Sequence, residues 1–283
     1  MMTLLPDPEI VHGHRIATGV HGDGPPVVLI HGTPSHSFIW RNVVPALTAA
    51  GYRVHLFDLL GFGCSERPRD PAVDTSVAAQ GEVLAALMEV WELERPHLVA
   101  HDIGGAVALR LGGFQPEGGG SLTLLDTVSF DSWPSASWRR IIAHGLDALM
   151  RADDAEHRAR LAAQLRMTVA DPANMTGDVL AEYLAAVSGP VGQPSFFLHQ
   201  VRHYDSRYTE TITDRLADLG RLPVQLIWGA SDSWQDPAYA HRLAAAIPDA
   251  SLHMIDGAGH FVMEDKPQAV AAHIRAFLDA QHA

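Results

Sequence analysis

A single cysteine, Cys64, stands in 283 residues, which leaves no partner for an internal disulfide and excludes a cysteine-rich zinc site. Basic residues are scarce too: 20 Lys and Arg face 33 Asp and Glu, a formal net charge of −13 with histidine neutral. Binding to a phosphate backbone or an anionic membrane surface needs clustered positive charge, so neither nucleic acid nor membrane is expected as a partner. No stretch approaches the ~18 uninterrupted apolar residues of a bilayer-spanning helix. The opening run MMTLLPDPEIV lacks a basic n-region and a long apolar h-region, so no secretory signal is read there and a cytoplasmic protein is expected. What remains is a chain with 47% hydrophobic and 19% charged residues, able to bury a sizeable core.

Short β-rich runs alternate with helical patterns along most of the chain. The clearest strands are Val27 to His31, Tyr52 to Asp58, His97 to His101, Ser121 to Asp126, Val224 to Trp228 and Ser251 to Ile255. Several (VVLI, LVA, VQLIW) are apolar on consecutive residues, as strands covered on both faces are. Helical stretches lie between them at Phe38 to Ala50, Thr75 to Leu93, Ile103 to Phe114, Pro237 to Ile247 and Pro267 to Leu278, with Pro237 and Pro267 suited to first turns. This repetition predicts an α/β fold with a mostly parallel central sheet and helices on both faces.

The rhythm breaks once, between about Asp131 and Asp214, where the composition is helical and no convincing strand precedes Leu222. Loops above ~15 residues are uncommon in compact domains. The segment is therefore read as an inserted helical cap at 131–214, over a core formed by 1–130 and 215–283. It carries Trp133, Trp138, Tyr183, Phe196, Phe197, Tyr204 and Tyr208, about half of which are expected to pack cap against core.

The most informative segment is LVAHDIGGAVALR, Leu98 to Arg110. A strand runs straight into a helix with Asp102 at the junction and small residues two before it (Ala100) and two after it (Gly104). That is the pattern of a nucleophile elbow, in which a sharp turn exposes the nucleophile and the helix start aims amides at the reacting atoms. Here an aspartate takes the place of serine, and no serine or cysteine elsewhere has this flanking. The competing reading makes Asp102 an ordinary helix cap. HGTP, His31 to Pro34, follows the first strong strand and can offer the Thr33 amide, with the Ile103 amide as second donor to developing negative charge. DLLGFGCSERP, Asp58 to Pro68, is a turn-rich loop read as structural. GAGHFVMED, Gly257 to Asp265, places His260 in a glycine-bounded loop after the last strand.

Taken in this order, the segments resemble the α/β-hydrolase superfamily over essentially the whole chain outside the cap. With aspartate at the elbow, the chain resembles the haloalkane dehalogenase and epoxide hydrolase branch, whose members form an alkyl-enzyme ester. The run HGTPSHSFIWRNVVPAL resembles the dehalogenase version of its region. The resemblance implies that Asp102 attacks an electrophilic sp³ carbon of a small-molecule substrate and that His260 activates the water that hydrolyses the ester. It offers two acids for His260: Asp232 after the strand Val224 to Trp228, which is favoured, and Asp126 at the end of the preceding strand. Asp236 is read as the cap of the helix beginning at Pro237.

The departures bear on the substrate. Haloalkane dehalogenases usually carry Trp after the nucleophile, where this chain has Ile103, and Asn or Glu where it has Thr33. A halide grip would then come from Trp133, Trp138 or His36. Epoxide hydrolases protonate the opening ring with cap tyrosines, for which Tyr183, Tyr204 and Tyr208 are candidates, and an epoxide is placed slightly ahead. His199 and His203, spaced i, i+4, lack an HExxH context, and no metal or cofactor is expected. Rival readings are an esterase or lactonase, a non-hydrolytic enzyme on the same scaffold, and a catalytically silent binding protein. Assembly is left open between a monomer and a homodimer.

Overall fold

Eight strands form one sheet in the order β1-β2-β4-β3-β5-β6-β7-β8 in the computed structural model, which describes residues 4–114 and 119–282. The strands are β1 Asp7–Val11, β2 His14–His21, β3 Pro26–Ile30, β4 Arg53–Phe57, β5 His97–His101, β6 Ser121–Leu125, β7 Val224–Gly229 and β8 Ser251–Ile255. From β4 to β8 every neighbouring pair is parallel, whereas β2 joins both β1 and β4 antiparallel. Every residue of β5, β6 and β7 is buried, which explains their near-continuous apolar sequences. The fold is the α/β architecture expected from the strand-helix rhythm.

The β1–β2 hairpin is absent from the sequence reading. Asp7–Val11 holds a proline and is largely exposed, so it shows no two-residue alternation. Its turn is His12-Gly13, with φ of 50° and 81°, the doubly left-handed geometry of a two-residue hairpin loop.

The core helices are α1 Val44–Ala49, α2 Val77–Val90 and α3 Ile103–Phe114. The single helix expected over Phe38 to Ala50 is divided into a 3-10 turn, Ser37–Trp40, and α1. A continuous helix would need an amide hydrogen at Pro45, which proline lacks. The helical span between β6 and β7 holds α4 Ala136–His144, α5 Leu146–Met150, α6 Asp154–Arg166, α7 Gly177–Val187, α8 Gly189–Ser195 and α9 Arg207–Glu210. The chain ends with α10 Pro237–Ala246, α11 Val262–Asp265 and α12 Pro267–Asp279. The Asp236 side chain caps α10 through the Ala238 N–H at 2.8 Å. Among the described residues no helix is long and apolar enough to cross a membrane.

Candidate active site

Asp102 sits between β5 and α3 with φ of 54°, in the left-handed region. Its backbone is held tightly: its N–H donates to Leu125 O at 3.1 Å, and its carbonyl accepts from Gly105 N at 3.0 Å and Val128 N at 3.3 Å. The turn brings α3 so close to the end of β3 that a Cβ at Gly104 would collide with the His31 carbonyl oxygen and lie 2.8 Å from that of Ile30. Backbone atoms at a strand end cannot step aside. Gly104→Ala is expected to cost about 1–3 kcal/mol, as overpacking does, measured as a fall of several degrees in Tm; an unchanged Tm would refute the close approach.

The Asp102 side chain does not cap its own helix. Its Oδ1 accepts from the Thr33 N–H at 2.8 Å, across the gap from the loop after β3. Gly32 makes room for this contact, because a Cβ there would lie 2.9 Å from the Asp102 Cγ. Ile103 opens α3, so its N–H has no acceptor within the helix. One carboxylate oxygen thus lies against the Thr33 amide and the other, Oδ2, is left toward His260.

His260 is fully buried in the loop after β8. Its Nδ1 lies 2.9 Å from Asp232 Oδ2 and its Nε2 lies 3.5 Å from Asp102 Oδ2. Asp232 Oδ1 accepts from Trp234 N at 2.7 Å and Gln235 N at 2.9 Å, so this acid is well supplied with donors. Burial alone would lower the His260 pKa; Asp232 and Asp102 outweigh it and raise it well above the usual imidazole value. Burial would raise the Asp102 carboxyl, but His260, His101 and the Thr33 N–H hold it below the usual carboxylate range. His101 is buried and neutral, its pKa lowered to about 3, and its Nε2–H donates to the His260 carbonyl at 3.0 Å.

The histidine loop is anchored to the helical span. Phe261 N–H donates to Thr168 O at 2.7 Å. The Asp265 carboxylate accepts from Gly259 N at 2.8 Å, Ala170 N at 2.7 Å and Asn174 Nδ2 at 2.8 Å.

Asp126 also reaches this cluster. One donor atom each from Asp126, Asp232 and His260 lie within 4.8 Å of one another. The arrangement is closed by hydrogen bonding, since a proton on Nδ1 shared with Asp232 leaves that nitrogen unable to ligate a cation.

A cavity of about 270 Å³ opens above Asp102 at the carboxyl ends of the strands, where α/β sheets bind ligands. Thr33, Pro34 and Asp102 form its floor. Trp133, Trp138, Phe196, Tyr204 and Trp234 form aromatic walls, and Met167 adds apolar surface. Serines 132, 135, 137 and 233, with Gln164 and Gln235, bring neutral polar groups. Asp102 is the one acidic or basic lining residue among those described. Tyr204 Oη lies 2.6 Å from Thr33 Oγ1, which donates to Gln200 Oε1 at 3.1 Å. With the threonine proton so committed, the phenol donates to threonine.

Three expected pocket residues lie elsewhere. Tyr183 donates to Glu264 Oε1 at 2.5 Å, and Glu264 also takes both terminal nitrogens of Arg41, at 2.6 and 2.7 Å; the phenol therefore completes a buried ion pair instead of facing ligand. His36 packs between Phe38 and Tyr183, at 5.8 and 6.0 Å between ring centroids, away from the cavity lining. Tyr208 is drawn outward by Arg207 and Arg110, whose guanidinium carbons lie 5.0 and 5.8 Å from its ring. His203 Nδ1 lies 3.6 Å from Asp74 Oδ1, and the cluster of three potential ligands found among the described residues includes neither His199 nor His203. Sequence reading missed Trp234, whose ring stacks on His260 at 5.3 Å and 29°. Its place two residues after Asp232 was the available signal.

A mostly parallel sheet, an aspartate at the elbow after β5, acids after β6 and β7, and a histidine after β8 match the α/β-hydrolase class. The model of the alpha/beta hydrolase fold family matches residues 25–267, and the chain belongs to this superfamily of enzymes. A solved alpha/beta hydrolase fold protein from Burkholderia ambifaria is 35% identical with a TM-score of 0.89, covering 97% of this chain and 98% of that one. The cis-3-alkyl-4-alkyloxetan-2-one decarboxylase of Shewanella oneidensis is 25% identical over 94% of this chain and 86% of its own length. Haloalkane dehalogenase 2 of Mycobacterium tuberculosis is 26% identical over 89% of this chain and 87% of its own.

Proposed function

We propose that this protein is a hydrolase that forms an alkyl ester on Asp102 with a neutral, mainly apolar small molecule, an epoxide before a halogenated compound. The observation that carries the reading is the fixed Asp102 carboxylate, Oδ1 on the Thr33 amide and Oδ2 facing His260. A carboxylate held ionised needs no base to attack, so the histidine is free for the second step. Attack of Oδ2 on the sp³ carbon forms the C–O ester bond and breaks the ring C–O or the C–halogen bond. Esterification then removes the Asp102 charge, one of the two that hold the His260 pKa up, so the imidazolium gives its proton up to solvent and the neutral ring is free to accept one from the attacking water. That water attacks the ester carbonyl, whose oxyanion falls to the Thr33 and Ile103 amides; collapse breaks the acyl C–O bond, restores the Asp102 carboxylate and releases the alcohol with the proton His260 took from water.

The helical span 131–214 acts in this reading as the cap. The epoxide comes first because Tyr204 lies in the cavity with its phenol kept protonated: burial raises its pKa and the Asp102 charge adds to this, against the pull of Thr33. An alkoxide leaving a ring needs such a donor. The halide reading keeps a place because Trp133 and Trp138 bring two indoles to the same wall. The relatives favour neither, since a decarboxylase and a dehalogenase lie at nearly the same identity.

A panel of epoxides, haloalkanes and esters, followed by single turnover in ¹⁸O-water, tests the reading. Under the ester mechanism the product takes its new oxygen from unlabelled Asp102 and the label enters the protein. Label appearing in the first product instead would refute it. In Tyr204→Phe, epoxide turnover is expected to fall about 10²–10⁴-fold while any haloalkane turnover stays within a few-fold. Equal effects on both would remove the tyrosine from the ring-opening step.

A further inference from the structure

Three carboxyls surround His260, and the mechanism above uses two of them. Asp102 and Asp232 face its two ring nitrogens. Asp126, fully buried at the carboxyl end of β6 with φ of 44°, completes the cluster. With all three ionised and the imidazole protonated, the cluster would hold a net charge of −2 away from solvent, which is strongly disfavoured. One carboxyl must keep a proton.

The donors show which. Asp232 accepts from His260, Trp234 and Gln235. Asp102 accepts from Thr33 and faces His260. Asp126 accepts from one donor, the Gly229 N–H at 2.8 Å, and its Oδ2 is buried without a partner. A proton settles on the carboxyl with the fewest donors to stabilise its anion.

We propose that Asp126 is a positioning residue, a neutral carboxylic acid whose proton is held toward Asp232 and which takes over as the partner of His260 when Asp232 is neutralised. The electrostatics agree: burial and then the Asp232 charge push the Asp126 carboxyl well above the usual range, against His260 and the Gly229 N–H. The titratable groups in play are Asp232 and His260, with Asp102 and His101 on the far side of the imidazole. While Asp232 carries its charge Asp126 keeps its proton; in Asp232→Asn that O–H proton passes to solvent, and the Asp126 carboxylate then accepts from His260 Nδ1.

The turnover arm of the test rests on the proposed hydrolase reading, and the spectroscopic arm needs no substrate. Asp126→Asn, Asp232→Asn and the double variant are compared with the unaltered protein, with circular dichroism reporting folding. Infrared spectra at neutral pH should show the carbonyl band of a neutral carboxylic acid that is lost in Asp126→Asn. The low-field Nδ1 proton of His260 should persist in Asp232→Asn and vanish in the double variant. If either single variant fails to fold, its Glu counterpart replaces it, and Asp126→Glu should keep the acid band. On any accepted substrate, Asp232→Asn should lose about tenfold and the double variant a further 10³–10⁴-fold, the scale of losing a triad acid. No acid band in the unaltered protein, or its survival in Asp126→Asn, overturns the proposal. So does an Asp232→Asn protein as impaired as the double variant. Absence of turnover on the whole panel, with the acid band assigned to Asp126, would count against the hydrolase reading and leave the proton where it is placed here.

Discussion

In His260→Gln, incubation with a substrate is expected to leave the protein carrying one covalent adduct on Asp102. Attack by the carboxylate does not pass through the imidazole: the variant removes the His260 charge that helps keep Asp102 ionised, but the Thr33 N–H still donates to Oδ1. Hydrolysis of the ester does need it, since water must lose a proton as it attacks. Glutamine keeps most of the buried volume but is no base, and ester breakdown should slow by about 10²–10⁴-fold. Intact-protein mass spectrometry distinguishes the two substrate classes. An epoxide adds its whole mass, because ring opening expels nothing, whereas a haloalkane adds itself less the hydrogen halide. Peptide mapping should place the increment on the β5–α3 junction. Turnover by the unaltered protein with no adduct in the variant would show that no ester on Asp102 lies on the path.

The largest loss is expected in Asp102→Ala. This substitution removes the proposed nucleophile, and turnover should fall by about 10⁴–10⁶-fold, the range seen when a covalent nucleophile is deleted. The aromatic walls and the Thr33 amide are untouched, so an unreactive neutral ligand should still bind within a few-fold of its original affinity. That split separates an enzyme from a binding protein, which would show no activity to lose. Hydrolysis of a chromogenic ester at the unaltered rate in the same variant would sink the aspartate mechanism and point to another nucleophile.

Much of the sheet was legible because its inner strands are buried on both faces. VVLI and VQLIW carry that burial in four or five consecutive apolar residues, and the structure places β3 and β7 there. The β1–β2 hairpin escaped because an exposed edge strand has no inner pair of faces to write into sequence. The geometry at the elbow was legible for a different reason. Left-handed backbone at Asp102 and the close approach of α3 to β3 both constrain residue type locally, and Gly104 records the constraint. The choice among the aromatics of the helical span was not legible. Whether Tyr183 or Tyr204 faces ligand depends on Glu264 and Arg41 in one case and Thr33 in the other, partners 81 or more residues away in the chain. Nothing in the local sequence of either tyrosine records that difference.

The loop bearing His260 shares hydrogen bonds with residues 168–174 through Thr168 and Asp265, so base and helical span move as one piece on that side. On the opposite side α4 has no buried residue and reaches the cavity through Trp138. A ligand path past α4 would cross the side with the least buried packing. Displacing α4 there would break none of the hydrogen bonds that tie the His260 loop to residues 168–174, so the doorway and the machinery behind it are held by separate contacts.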